Sequence, residues 1–216
     1  MKKLILNFRS KDLNKIKNPK IFLGGKGANL SEMGRMGLPV PPGFTISTKV
    51  CDLFYKNKKK LNSEVIKQIK KELKKIEKEV KKKFGDLKNP LLLSVRSGAR
   101  VSMPGMMDTI LNLGLNDKTV LALASKTSNN RFAKDSYRRF IQMYGNVVMG
   151  VKSYHFEELI ENYKLTKGVL LDTDLDEHDW DGLINDFKRV VKDKTKKNFP
   201  QNVFDQLFGA ISAVFL

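Results

Sequence analysis

Residues 91–115 read LLLSVRSGARVSMPGMMDTILNLGL. A short apolar run stops at Arg96. Small residues, a Pro-Gly and three methionines follow, and a second apolar run begins near Thr109. Short apolar runs bounded by Gly and Pro read as strands. The stretch is therefore strand, loop, strand, with the loop at the carboxyl end of the first strand. The pattern differs on its two sides. Upstream, strands and helices alternate; downstream, one helical pattern follows another. The predicted fold class is α/β followed by a helical subdomain. The expected boundaries are 1–115 for the α/β part, 116–200 for the helical part and 201–216 for a helix returning to the first.

Upstream, KKLILNF (2–8) predicts a first strand. GGKGAN (24–29) opens a helix in which Leu30, Met33 and Met36 recur at three-residue spacing, and Gly37 ends it. Pro39, Pro41 and Pro42 forbid helix and force an extended path into GFTIST (43–48). Val65, Ile69, Leu73, Ile76, Val80 and Phe84 predict a helix over 63–84, capped by Asn62 or Ser63 and stopped at Gly85-Asp86. Downstream, helices are predicted over 117–126, 131–149, 153–163 and 176–194. In the second of these, Phe132, Ser136, Phe140, Met143 or Tyr144, and Val147 share a face. The segment 201–216 runs apolar to Leu216 with no cap, which predicts that the chain is a piece of something longer.

The net charge is +18, from 41 Lys+Arg against 23 Asp+Glu. The excess is mostly lysine around residues 56–83, expected on one helix. Nucleic-acid binding would call for arginines and interleaved aromatics, which that stretch lacks, so a solvated lysine face is the reading. A single cysteine, Cys51, excludes an internal disulfide and reads as a small core residue. With only two histidines, a zinc site of soft ligands is excluded as well. No apolar run approaches the ~20 residues needed to cross a bilayer. The N-terminus lacks a signal-peptide core, and a cytoplasmic protein without membrane partners is expected.

Two stretches can carry phosphate chemistry. FLGGKGANL (22–30) puts three glycines around Lys26 at a helix start, where backbone amides and an ammonium can cradle an anion. It is neither a Walker A loop nor GxGxxG, and a turn that simply needs glycines remains equally open. Arg96 stands at a strand's carboxyl end, where α/β proteins bind ligands, and a guanidinium there can fork onto phosphate oxygens. Ser97, Gly98, Ser102 and Gly105 keep the next loop small enough to fold over a nucleotide. Met103, Met106 and Met107 could pack on a base or fill a core. Three further features read as structural. LDTDLDEHDWDG (171–182) lacks the Gly and Glu of a calcium loop, having Glu177 and Leu183 there, and reads as acidic capping of the helix that follows. His155 and His178 read as surface residues. Arg138 and Arg139 read as helix surface, with a cleft-facing role left open.

FLGGKGANLSEMGRMGLPVPPGFTIST, LLLSVRSGARVSMPGMMDTILNLGLN and NRFAKDSYRRFIQMYGNVVM closely resemble the N-terminal nucleotide-binding domain of the pyruvate, phosphate dikinase family. KKFGD (82–86) and LLDTDLD (170–176) extend the resemblance from about residue 20 to the end. The SMPGMMDTILNLGLN stretch sets the chain apart from pyruvate, water dikinase, the second reading. A shortened, non-catalytic module that binds polyanions is the third. The resemblance implies a partial ATP-grasp-like domain. Lys26 and Arg96 would lie on the ATP phosphates, with Gly98, Ser102, Gly105, Met107 and Thr109 in the loop over the nucleotide. It implies an enzyme that moves the β-phosphoryl of ATP to a histidine on a mobile domain and from there to pyruvate. Inorganic phosphate takes the γ-phosphoryl, so the products are AMP, pyrophosphate and phosphoenolpyruvate. The Mg2+ carboxylates, the carrier histidine and the pyruvate site are expected beyond residue 216. No catalytic residue or metal ligand is then expected in this chain, which alone should be inactive. Its partners would be ATP or AMP, phosphate, pyruvate and the remaining domains, in a homodimer.

Overall fold

The computed structural model describes residues 3–98 and 109–216. They fall into two compact units. One gathers residues 3–82, 96–98 and 214–216; the other gathers 83–95 and 109–213. The division departs from the expected boundary at 115, because the short strands at 83–95 and 109–113 group with the helices.

In the first unit, β1 (Ile5–Asn7) pairs antiparallel with β2 (Phe44–Ile46), Ile5 opposite Ile46 and Asn7 opposite Phe44. α1 (Pro19–Arg35) lies between them in sequence and starts on a proline, whose ring presets the helical φ. It ends as predicted. The Leu38 N–H reaches back to the Met33 carbonyl at 3.1 Å, while Gly37 takes the left-handed conformation (φ 78°) that this closure requires. Leu6, Leu13, Leu23 and Ala28 form a small core.

α2 (Thr48–Lys56) was not foreseen. The lysines read into one long helix are split: Lys56 closes α2, and Lys58 and Lys59 turn the chain at positive φ. α3 (Ser63–Val80) then starts at Asn62, whose side chain accepts the Val65 N–H at 2.8 Å. Val65, Ile69, Leu73 and Ile76 are buried, and α3 packs on β1. The helix is four residues shorter than predicted. Lys81 turns left-handed and the Lys82 N–H bonds to the Glu77 carbonyl, which ends it before Phe84.

Phe84 belongs to the second unit. There β3 (Lys83–Phe84) pairs parallel with β4 (Pro90–Leu91), and β5 (Leu93–Arg96) pairs with β6 (Thr109–Leu113). Five helices follow: α4 (Thr119–Thr127), α5 (Asn130–Val147), α6 (Tyr154–Lys167), α7 (Glu177–Thr195) and α8 (Val203–Val214). Their core is aromatic. Phe140, Tyr144 and Phe199 meet edge to face with centroids 5.6 Å apart, and Phe156 lies 4.8 Å from Phe187. The buried face of α5 includes Ser136, Phe140 and Tyr144 as expected. Phe132 is 49% exposed, however, and Ala133 and Tyr137 are buried instead. Gln206 is fully buried. It accepts the Gly114 N–H at 3.1 Å and donates to the Leu115 and Pro200 carbonyls at 2.9 and 2.8 Å, tying α8 to the turn after β6.

Candidate nucleotide-phosphate site

Lys26 does not sit on a regular helix. Gly24 breaks α1 with φ 72° and ψ 169°, so the helix restarts at the residues flanking Lys26. A restarted helix leaves the amides of its first turn without intrahelical acceptors. The break is held from two sides. The Thr48 hydroxyl donates to the Ile21 carbonyl at 2.8 Å, and the Lys49 ammonium stands 5.6 Å over the Phe22 ring. Beyond the break, Gly27 lets α1 lie flat on β2: a Cβ there would fall 2.7 Å from the Thr45 methyl. The Ser31 hydroxyl donates to the Gly27 carbonyl at 2.8 Å.

The other component arrives at the end of β5. The strand is half-buried, with Leu93 and Val95 partly covered and Ser94 and Arg96 exposed. Two residues beyond Arg96, the Gly98 carbonyl abuts Gly24 so closely that a Cβ on Gly24 would lie 1.9 Å from its oxygen. Lys26 and Arg96 are thereby brought into electrostatic range. Burial, and then the Arg96 guanidinium, hold the Lys26 ammonium below the usual lysine value. Two cations kept together at a cost, with no ion pair to either among the described residues, form an arrangement that an anion with several oxygens would relieve.

Of the predicted site residues, Lys26, Arg96 and Gly98 come together. Thr109 opens β6 and groups with the second unit. Ser102, Gly105 and Met107 lie outside the described residues, as do Arg100, Met103 and Met106. Gly24 and Thr48 were not singled out. The glycine triplet around Lys26 carried a signal for the first, whereas nothing local marked Thr48. Cys51 is only partly buried, and burial together with Asp52 pushes its thiol up.

The remaining candidates have structural roles. Arg138 is not on the surface. It is 4% exposed, stacks 4.6 Å over Trp180 and donates to Asp135 at 2.5 Å. Arg139 is exposed and reaches Asp135 at 2.9 Å. The acidic stretch caps α7 as expected: Asp176 accepts the His178 and Asp179 N–H groups at 2.8 and 3.1 Å. His178 is exposed and His155 partly so. Among the described residues no cluster of three or more His, Cys, Asp or Glu could hold a metal ion. No described helix is long and apolar enough to cross a membrane.

Residues 21–145 match the family model described as pyruvate phosphate dikinase, AMP/ATP-binding domain. Proteins named pyruvate, phosphate dikinase are 54% identical over 195 residues in Clostridium symbiosum and 50% identical over 196 in Entamoeba histolytica. The chloroplastic protein of that name from Flaveria pringlei is 51% identical over 199. The alignments cover 90%, 91% and 92% of this chain, but the chain spans about a fifth of each relative, namely 22%, 22% and 21%. With more than half of its residues inside the family model, the chain belongs to the pyruvate phosphate dikinase AMP/ATP-binding domain family.

Proposed function

We propose that this chain supplies one wall of the ATP site of a pyruvate, phosphate dikinase, in an ATP-grasp-like domain. The observation that carries the reading is the close approach of the Gly98 carbonyl to Gly24, which brings the Arg96 end of β5 to the break in α1 that bears Lys26. The two cations have no carboxylate partner among the described residues, and they lie at a restarted helix and a strand end, two elements that favour phosphate. Lys26 acts as a point charge on the phosphates and Arg96 as a fork that orients them. In the same reading Gly98, Ser102, Gly105, Met107 and Thr109 cover the nucleotide.

The whole enzyme interconverts ATP, phosphate and pyruvate with AMP, pyrophosphate and phosphoenolpyruvate through a phosphohistidine. In this reading the whole enzyme is a homodimer, and a cytoplasmic location is expected from the single cysteine and the lack of a signal-peptide core. Magnesium, when bound, would supply positive charge to offset that developing on the phosphates. The chemistry assigned to this chain is holding and orienting the nucleotide.

The two half-reactions separate this role from a structural one. In the full-length enzyme, Arg96→Ala should slow ATP-dependent phosphorylation of the histidine by about 10²-fold, the usual consequence of removing one charge-stabilising donor. Exchange between pyruvate and phosphoenolpyruvate, which does not use the nucleotide, should be spared. An equal fall in both would assign Arg96 to the scaffold and overturn the reading.

A further inference from the structure

We infer that Gly24 is a positioning residue for Lys26: without a side chain, the break in α1 docks on the Gly98 carbonyl and sets the Lys26 ammonium beside the Arg96 guanidinium. The inference rests on the proposed nucleotide-holding role of those two cations. Three observations carry it. The Gly24 backbone, φ 72° and ψ 169°, lies in a region that only glycine occupies readily. An added Cβ would come within 1.9 Å of the Gly98 oxygen and 3.0 Å of its carbonyl carbon, a collision with backbone that no rotamer change relieves. The chain leading into Gly24 is also pinned, by the Thr48 hydroxyl on the Ile21 carbonyl and by Lys49 over Phe22. A side chain at position 24 would therefore push the Arg96-bearing segment away rather than shift α1 backwards.

The other glycines of this region do different work. Gly27 makes room for Thr45. Gly37 has a positive φ of 78°, but nothing would lie within 4 Å of a Cβ added there. Gly37→Ala therefore strains the same helix without touching the Arg96 segment, which makes it the control for general destabilisation.

The test reads the pH dependence of Lys26 modification by an amine-reactive reagent, followed by mass spectrometry of the peptide that contains it. ATP affinity is measured alongside, in the intact protein. In the unaltered protein the Lys26 midpoint should lie below that of free lysine. Gly24→Ala should move it up towards the free value and weaken ATP binding by about tenfold or more. Gly37→Ala should lower the melting temperature and leave both readouts unchanged. An unmoved midpoint in folded Gly24→Ala, or an equal movement in Gly37→Ala, would overturn the inference. If Gly24→Ala does not fold, Arg96→Gln, at an exposed position, must raise the midpoint; failure to do so removes the juxtaposition itself. Should the midpoint respond to Gly24→Ala while the unaltered protein binds no ATP, the positioning role stands and the proposed function falls.

Discussion

Arg138 and Arg139 are neighbours on α5 with different surroundings. The Arg138 guanidinium lies over the Trp180 ring and donates to the Asp135 carboxylate and to Gln142 at 3.1 Å; Arg139 reaches Asp135 from solvent. Burial pushes the Arg138 guanidinium down and Asp135 opposes the shift. Removing Arg138 forfeits the stacking on the indole and the buried half of Asp135's ion pairing, whereas an exposed pair contributes little. Arg138→Leu should therefore cost about 3 kcal/mol in urea unfolding, and Arg139→Leu no more than about 0.5 kcal/mol. The i,i+3 and i,i+4 relation to Asp135 is legible in the sequence. The indole that decides between the two arginines comes from α7, far along the chain, so local pattern could not separate them. The same limit explains Gly24: a glycine triplet was visible, but which glycine touches Gly98 depends on a tertiary contact.

Elements were more legible than residues where one periodicity runs unbroken. The apolar stripe of α3 identified its buried face, and the five helices after β6 fall near their predicted ranges. The end of α3 is not legible because Phe84 continues the helical spacing by coincidence, while its ring packs edge-on to Phe204, both in the second unit. The start of α7 was clear from composition. Asp176 is held far below the usual carboxylate range by the Lys167 ammonium and by the Asp179 and His178 amides. Because its folded pKa is depressed, the stability it contributes is present above the unfolded value near 3.9 and is lost as pH falls below it. Asp176→Asn keeps a capping oxygen but no titrating charge. Its melting temperature should fall less steeply than that of the unaltered protein between about pH 5 and pH 2. Parallel curves would mean that the ion pair with Lys167 contributes nothing.

At the scale of the molecule, charge is concentrated. Residues 56–83 carry 13 Lys against 4 Glu, half of the net +18. Repulsion within such a surface is screened over roughly 8 Å at physiological ionic strength. Raising NaCl from about 0.02 to 0.2 M should therefore raise the melting temperature. A fall would show that attractive pairs outweigh the lysine repulsion. The order of the compact units along the chain has a consequence of another kind. The segment that delivers Arg96 and Gly98 leaves the second unit after Val95 and returns to it at Thr109. No single cut can part the two units and leave each whole. A piece ending at Lys82 keeps Lys26 and loses Arg96; a piece beginning at Lys83 does the reverse. A recombination crossover between residues 26 and 96 would therefore draw the two cations from different parents.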